Sequence, residues 1–328
     1  MKELISIVVP MYFEEEVAQE CYNRLVNVMQ QNNLNYEMIF VNDGSTDRTM
    51  DILTEIADKD PNVKIINFAR NFGHQIAVTA GIDYAKGDAI VIIDADLQDP
   101  PELIPVLVDK WNEGFEVVYA KRKSRKGETW FKLLTAKYFY KVLNYLSDIE
   151  IPKDTGDFRI IDRKVADVFS KMSERNRFVR GMMSWIGFRQ TFVEYERDER
   201  FAGETKYPLK KMIKFASDGV IAFSTKPLRI VMTLGIFSVI ISMLVLMYSL
   251  TVKIFGENIQ PGWTSIMVAI TFFSGIQLLG LGIVGQYIAR IYDESKNRPI
   301  YIVKELVNID RSNPHHKNEQ ATKPIGIF

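Results

Sequence analysis

Val91-Ile92-Ile93-Asp94-Ala95-Asp96-Leu97-Gln98-Asp99-Pro100 is an apolar run that ends in two carboxylates spaced i, i+2 and then meets a proline. An extended chain sends alternate side chains to one side, so Asp94 and Asp96 point the same way. In α/β sheets the open end of a buried strand is where ligands bind. Two hard oxygen ligands there, with Gln98 as a third, suit Mg²⁺ or Mn²⁺ carried in on a nucleotide diphosphate.

Upstream and downstream, short apolar runs alternate with amphipathic stretches. Strands are expected at 6–9, 37–41, 63–67, 89–93 and 117–120, and helices at 15–31, 46–58, 74–85 and 101–112. Strands alternating with helical patterns imply βαβ crossovers and an α/β fold with a mostly parallel sheet and helices on both faces. The 328 residues carry 41 Lys plus Arg against 41 Asp plus Glu, a balance that gives no reason to expect nucleic acid. The single Cys21 excludes an intramolecular disulfide and any metal site built on several cysteines, and fits a reduced, cytoplasmic catalytic portion. Lys2 and Glu3 lead straight into the first strand, without the pattern of a signal peptide.

Residues 230–252 and 263–289 contain no charge. At about 1.5 Å per residue the shorter run reaches roughly 35 Å, enough to cross the hydrocarbon core of a bilayer. Two buried helices of a soluble domain would read similarly, but two such runs in succession point to a transmembrane hairpin over 227–291. Lys226 and Arg229 before the first uncharged run and Arg290, Lys296 and Arg298 after the second place both ends in the cytoplasm by the positive-inside rule. Residues 207–226 read as an amphipathic helix at the membrane surface, and 292–328 as a cytoplasmic tail, partly disordered. The catalytic domain is then expected to occupy residues 1–206.

Pro10, Tyr12 and Glu14 follow the first strand, and Asn42-Asp43-Gly44-Ser45-Thr46-Asp47 follows the second, at the same sheet edge as Asp94 and Asp96. Asp43 is placed to accept from a base N–H and Tyr12 to pack on the base or ribose. Taken alone, the 42–47 segment is better explained as a turn plus helix cap. Asp99 and Glu102 have capping-box spacing, so Asp99 is read as a cap and not as a metal ligand.

The ordered set Ser6-Ile7-Val8-Val9-Pro10, Val41-Asn42-Asp43-Gly44-Ser45, Arg70-Asn71-Phe72-Gly73 and Asp94-Ala95-Asp96-Leu97-Gln98 resembles family 2 glycosyltransferases of the GT-A fold. Gly156-Asp157-Phe158-Arg159, Arg200-Phe201-Ala202-Gly203-Glu204-Thr205-Lys206-Tyr207 and the C-terminal hairpin narrow the resemblance. They are similar to bacterial polyprenyl-phosphate glycosyltransferases related to dolichyl-phosphate mannose synthase. That resemblance implies nucleotide binding by Pro10, Tyr12, Glu14, Asp43, Ser45 and Asp94, and metal binding by Asp94, Asp96 and Gln98. It implies catalytic roles for Asp157, Arg200 and Lys206, the last two on a basic segment that closes over the phosphates. Arg122 and Lys132 match positions for the acceptor phosphate, although the basic run 121–126 would also be attracted to anionic lipid without any catalytic role.

The implied reaction moves one sugar from a nucleotide sugar to undecaprenyl or another polyprenyl phosphate, with inversion to a β-linked product. UDP-glucose is the first choice of donor and UDP-N-acetylglucosamine the second. A phosphate monoester with a second pKa near 6 is mostly dianionic at neutral pH, so a general base at Asp157 is not required. Further implications are a homo-oligomer, with a tetramer as the guess, a downstream flippase and an outward-facing transferase. A processive polysaccharide synthase of the same fold is the nearest alternative, but its Gln-x-x-Arg-Trp motif is missing from this sequence. A catalytically silent nucleotide-sugar-binding scaffold would not need Asp94, Asp96, Arg200 and Lys206 together.

Overall fold

The computed structural model describes residues 3–123, 155–196, 224, 226–255 and 262–309. Eight strands are described: β1 (Leu4–Met11), β2 (Asn35–Asn42), β3 (Val63–Phe68), β4 (Ala89–Ile92), β5 (Val117–Arg122), β6 (Thr155–Asp162), β7 (Gln190–Tyr195) and β8 (Val303–Val307). Six helices go with them: α1 (Ala18–Gln31), α2 (Thr49–Ala57), α3 (His74–Tyr84), α4 (Ile104–Asn112), α5 (Arg163–Lys171) and α6 (Val179–Ile186). The strands form one sheet in the order β7-β5-β6-β4-β1-β2-β3-β8. Only β6 and β8 run against the other six strands.

The centre of the sheet is apolar on both faces, which is why β1 and β4 read as continuous hydrophobic runs rather than alternating ones. Ile5, Ile7, Val9 and Met11 of β1 pack into one core with Leu25 and Met29 of α1, Leu53 of α2 and Leu107 of α4. On the opposite face α3 lies so close that a Cβ at Gly81 would stand 2.1 Å from Val8 Cγ1. Near the amino end of β1 the buried Glu37 carboxylate accepts from Ser6 Oγ, Lys64 Nζ and, at 2.6 Å, the Lys86 N–H. Burial alone would raise its pKa, but these donors outweigh burial and hold it below the usual carboxylate value. The network is structural and ties three strands together away from the ligand-binding edge.

Two expectations need correction. The catalytic sheet does not end at residue 206, because β8 returns to cover the edge of β3, with Ile65 opposite Val307 and Ile66 opposite Leu306. Asn308 Nδ2 fastens the strand by donating to Ala57 O and Val63 O, both at 2.9 Å. Part of the expected tail is therefore a sheet strand that covers an otherwise unpaired edge. The second correction concerns Asp99. The 3₁₀ turn at Pro101–Leu103 has Pro100 at its start and no side-chain cap, while Asp99 turns inward to bond Tyr195.

Residues 298–309 join the same compact unit as β1–β7, and a second unit contains α7 (Lys226–Phe255) and α8 (Trp263–Ser295). These helices contain the uncharged runs 230–252 and 263–289. They approach each other where a Cβ on Gly280 would meet Val231 Cγ1 at 2.9 Å. Their large apolar side chains face outward, among them Met232, Phe237, Leu278, Leu279 and Ile288. Among the described residues, one segment, Phe272–Ser295, is long and apolar enough to cross a membrane. The expected juxtamembrane helix at 207–226 lies almost wholly outside the described residues, as do 310–328.

Candidate active site

Strands β1 to β4 run parallel through β1, so their carboxyl ends open on one edge. Beyond β4 the chain does not stay extended as expected but turns at Ala95–Asp96, with Leu97 at φ +55°. Burial still alternates: Asp94, Asp96 and Gln98 are partly exposed while Ala95, Leu97 and Asp99 are buried. Asp94, Asp96 and Gln98 are thus the partly exposed residues of this turn, although the strand alternation expected to align them is absent. Asp94 Oδ1 is buried and accepts no hydrogen bond, whereas Asp96 Oδ1 accepts from Gln98 N at 3.2 Å.

The antiparallel β6 brings a second cluster to this edge. Ile92 pairs with Arg159, so the residues two further on, Asp94 and Asp157, emerge at the same end. The buried Asp157 carboxylate is enclosed by donors. Arg180 Nε lies 2.8 Å from Oδ1, and His74 Nε2 and Gln75 Nε2 lie 3.1 and 3.2 Å from Oδ2. Gln75 also takes the N–H of Val179, the first residue of α6, which fixes Arg180 next to it. Arg159 is wholly buried; it donates to Asp157 O and Gly156 O and packs over the Tyr119 ring.

His74 stands between two carboxylates, with Nε2 3.1 Å from Asp157 Oδ2 and 3.6 Å from Asp94 Oδ1. Burial would lower its pKa, but Asp157 and Asp94 outweigh that and raise it to about 9. It is an imidazolium at neutral pH. Burial raises Asp94 to about 6, opposed by His74 and reinforced by Asp157, Asp99 and Asp96. Burial also acts to raise Asp157, yet Arg180 and His74 prevail and keep that carboxyl well below its usual range. The site therefore holds an ionised, saturated carboxylate at Asp157 and a crowded one at Asp94.

At the ends of β2 and β3, Asp43 is the anchor of the Arg70–Gly73 loop. Its oxygens accept from Phe72 N at 2.6 Å, Gly73 N at 2.9 Å and Asn71 Nδ2 at 3.0 Å. Burial raises the Asp43 carboxyl, opposed by those backbone bonds. A base N–H would have to share oxygens already engaged by the loop, using lone pairs that remain on each. Ser45 Oγ accepts from Phe13 N, and Thr49 Oγ1 from Glu14 N, so both join the 12–14 loop to the start of α2 without capping it. Tyr12 and Phe13 are exposed aromatic rings in edge contact at this rim, and Pro10 is buried in register with Val41.

Gly44 has φ +68°, and a Cβ there would lie 2.4 Å from the Arg70 carbonyl carbon and 2.6 Å from Asn71 N. Gly44→Ala is expected to cost about 1–3 kcal/mol of backbone strain before any clash is relieved. A lowered melting temperature together with a raised KM for the nucleotide donor would show it; an unchanged donor KM would detach this loop from donor binding.

The model of glycosyl transferase family 2 matches residues 6–169. A glycosyltransferase called YkcC from Bacillus subtilis (strain 168), itself uncharacterized, is 57% identical over 93% of this chain and 94% of its own length. The chain belongs to glycosyl transferase family 2. Within that family it is 48% identical to the uncharacterized glycosyltransferase sll0501 of Synechocystis sp., over 93% of this chain and 96% of the relative. It is 42% identical to the SfII prophage-derived bactoprenol glucosyl transferase of Shigella flexneri, over 94% of this chain and 99% of the relative. As a family 2 member the protein is a glycosyltransferase, and its mostly parallel sheet with helices on both faces is the expected GT-A architecture.

Of the family's expected site residues, the structure brings Pro10, Tyr12, Glu14, Asp43, Ser45, Asp94, Asp96, Gln98 and Asp157 to one edge of the sheet. Arg122, at the end of β5, donates to Tyr195 Oη at 3.2 Å and lies 3.5 Å from Asp99 Oδ1. It joins the buried Asp99–Tyr195 pair beside the Asp94–Gln98 turn, with part of its side chain exposed. Lys132, Arg200 and Lys206 lie outside the described residues. His74, Gln75 and Arg180 were not singled out from the sequence, although His74 directly follows the Arg70–Gly73 motif.

Proposed function

We propose that this family 2 glycosyltransferase moves one glucose from UDP-glucose onto a polyprenyl phosphate at the cytoplasmic face of a membrane, with inversion at the anomeric carbon. The observation that carries this reading is the pairing at one sheet edge of the Asp94/Asp96/Gln98 face with the cationic His74 and Arg180 around Asp157. The Shigella relative's name supports the glucose and the lipid.

A divalent cation fits these residues. Asp94 Oδ1 is buried without a hydrogen bond, its carboxyl is crowded by like charge, and the donors are all hard oxygens. Among the described residues no three His, Cys, Asp or Glu side chains gather as a cage. That suits Mg²⁺ or Mn²⁺ held by one or two carboxylates and completed by substrate phosphates. Asp94 and Asp96, with Gln98, would hold the ion, which when bound supplies charge stabilisation for the departing diphosphate.

The chain's own residues do the rest. The Asp43-anchored loop and Tyr12 face the nucleotide. Asp157 holds Arg180 and His74 in place as fixed positive charges, which favour approach of an anionic acceptor phosphate and offset charge that develops on the leaving group. The acceptor oxygen forms the new bond to the anomeric carbon as the bond to the UDP oxygen breaks. The nucleophile is already ionised, so Asp157 orients and takes no proton.

The membrane reading rests on connectivity as well as composition. The chain leaves the catalytic sheet after β7 and re-enters it as β8, so any passage through a bilayer between them must be even in number. In this reading the two helices, of 30 and 33 residues, would supply two crossings, each being longer than the ~20 residues a span needs. The product's sugar would then lie in the cytoplasmic leaflet, and a lipid-flipping step must precede any use outside.

Purified full-length protein, undecaprenyl phosphate and Mg²⁺ or Mn²⁺ should be incubated in turn with UDP-glucose, UDP-N-acetylglucosamine and GDP-mannose. One β-linked glucose per lipid phosphate, with UDP released only when lipid is present, is the expected result. A polymer, or turnover confined to another donor, would overturn it.

A further inference from the structure

We infer that Tyr301, in the segment that returns from α8 to the sheet, is a positioning residue for the donor nucleotide, a role that rests on the reading of the Asp43 loop as the nucleotide cradle. The Tyr301 ring stacks on Phe68 at the end of β3, with centroids 5.3 Å apart and planes 17° from parallel. Phe68 in turn meets Phe72 edge-on at 5.6 Å, and the Arg70 guanidinium covers the Phe72 ring at 4.0 Å. Phe72 N is one of the two backbone donors that Asp43 holds. A continuous run of ring contacts, one stacked and one edge-on, thus leads from the returning segment to the loop bound by Asp43.

Polar contacts fix both ends of the stack. Tyr301 Oη donates to Asp83 Oδ2 at 3.2 Å, and Ser170 Oγ holds the other Asp83 oxygen at 2.6 Å, so α3 and α5 anchor the tyrosine. Ala69 N donates to Ile302 O at 3.0 Å, which joins the backbone of the returning segment to the residue immediately before the loop. Residues 70, 71 and 72 are otherwise on the surface or only partly buried, so the loop relies on these contacts for a fixed conformation. The donor cradle is therefore completed by residues more than two hundred positions beyond Asp43, six residues past the end of α8.

The test uses the full-length chain and three variants. Tyr301→Ala removes the stack; Tyr301→Phe keeps the ring and loses the bond to Asp83; Asn308→Ala loosens β8 at its far end, away from the loop. Tyr301→Ala is expected to raise the UDP-glucose KM, and the UDP dissociation constant by calorimetry, about ten-fold. Its kcat and acceptor KM should stay within about two-fold. Tyr301→Phe should recover most of the donor affinity, and Asn308→Ala should lower the melting temperature without moving donor KM.

If wild type binds UDP and Tyr301→Ala binds it equally well, the inference fails while the donor reading stands. It fails in the same way if Asn308→Ala raises donor KM as much as Tyr301→Ala does, because the effect is then general loosening of β8. If wild type binds no UDP at all, the donor reading itself falls and takes this role with it.

Discussion

Asp94→Asn is expected to lower kcat by about 10³-fold or more, because it removes an anionic ligand from the place where leaving-group charge is neutralised. The substitution keeps the shape of the side chain, so the fold has little reason to change. Thermal stability should stay at the wild-type level or rise. In the protein alone, Asp94 is a crowded carboxylate, held up at about 6 by burial and by Asp157, Asp99 and Asp96 against the relief given by His74. Removing its charge relieves that repulsion, and the His74 imidazolium keeps its closer partner at Asp157. A large activity loss with an undiminished melting temperature is the signature of a side chain placed for function at some expense of stability. The measurement is turnover over a range of Mg²⁺ and Mn²⁺ concentrations beside a thermal melt. Turnover within ten-fold of wild type would remove Asp94 from the metal set, and a collapse of stability would make it structural.

The Asp94–Gln98 face was legible in the sequence for a local reason. Burial alternates along 94–99 as the spacing of the carboxylates suggests, even though the segment turns at Ala95–Asp96 and is not the extended strand expected. Asp99, the next residue, shows where that reasoning stops. Its carboxylate is bound by Tyr195 and faces Arg122, 96 and 23 positions away, and spacing alone favoured a cap over partners so remote. The central parallel strands were visible as apolar runs. β8 was not, because Lys304 and Glu305 interrupt its apolar residues and its partner β3 lies some 240 positions upstream. The pairing of β6 between β4 and β5 was equally hidden, and it is β6 that carries Asp157 to Asp94. For the same reason His74 and Arg180 left no individual trace: each lies in the first turn of a helix that could have packed anywhere, and only the folded sheet turns them toward one carboxylate.

Asp157→Asn is expected to cost about 3–5 kcal/mol of stability, the range for removing one partner of a buried charge cluster. The loss would leave the fully buried Arg159, together with Arg180 and His74, facing an amide instead of a carboxylate. For a domain of this size, each kcal/mol moves the melting temperature by about 2–4 °C, so a fall of about 10 °C is in view. The sign of the pH dependence follows from the depressed pKa. The stabilisation is complete above the ordinary aspartate value near 3.9 and is lost as pH falls toward the lower folded-state value. The gap between wild type and Asp157→Asn should therefore be full at pH 7 and narrow steadily in acid. A general base works best with a pKa near the working pH, and a carboxylate held this low by Arg180 and His74 is a poor proton acceptor. The residual activity of Asp157→Asn, measured below its melting temperature, should accordingly keep the shape of the wild-type pH–rate profile, with the loss spread between kcat and acceptor KM as Arg180 and His74 move. If instead Asp157→Asn melted like wild type and its rate profile lost an ascending acid limb, the carboxylate would be the base and its cationic neighbours merely its tuning.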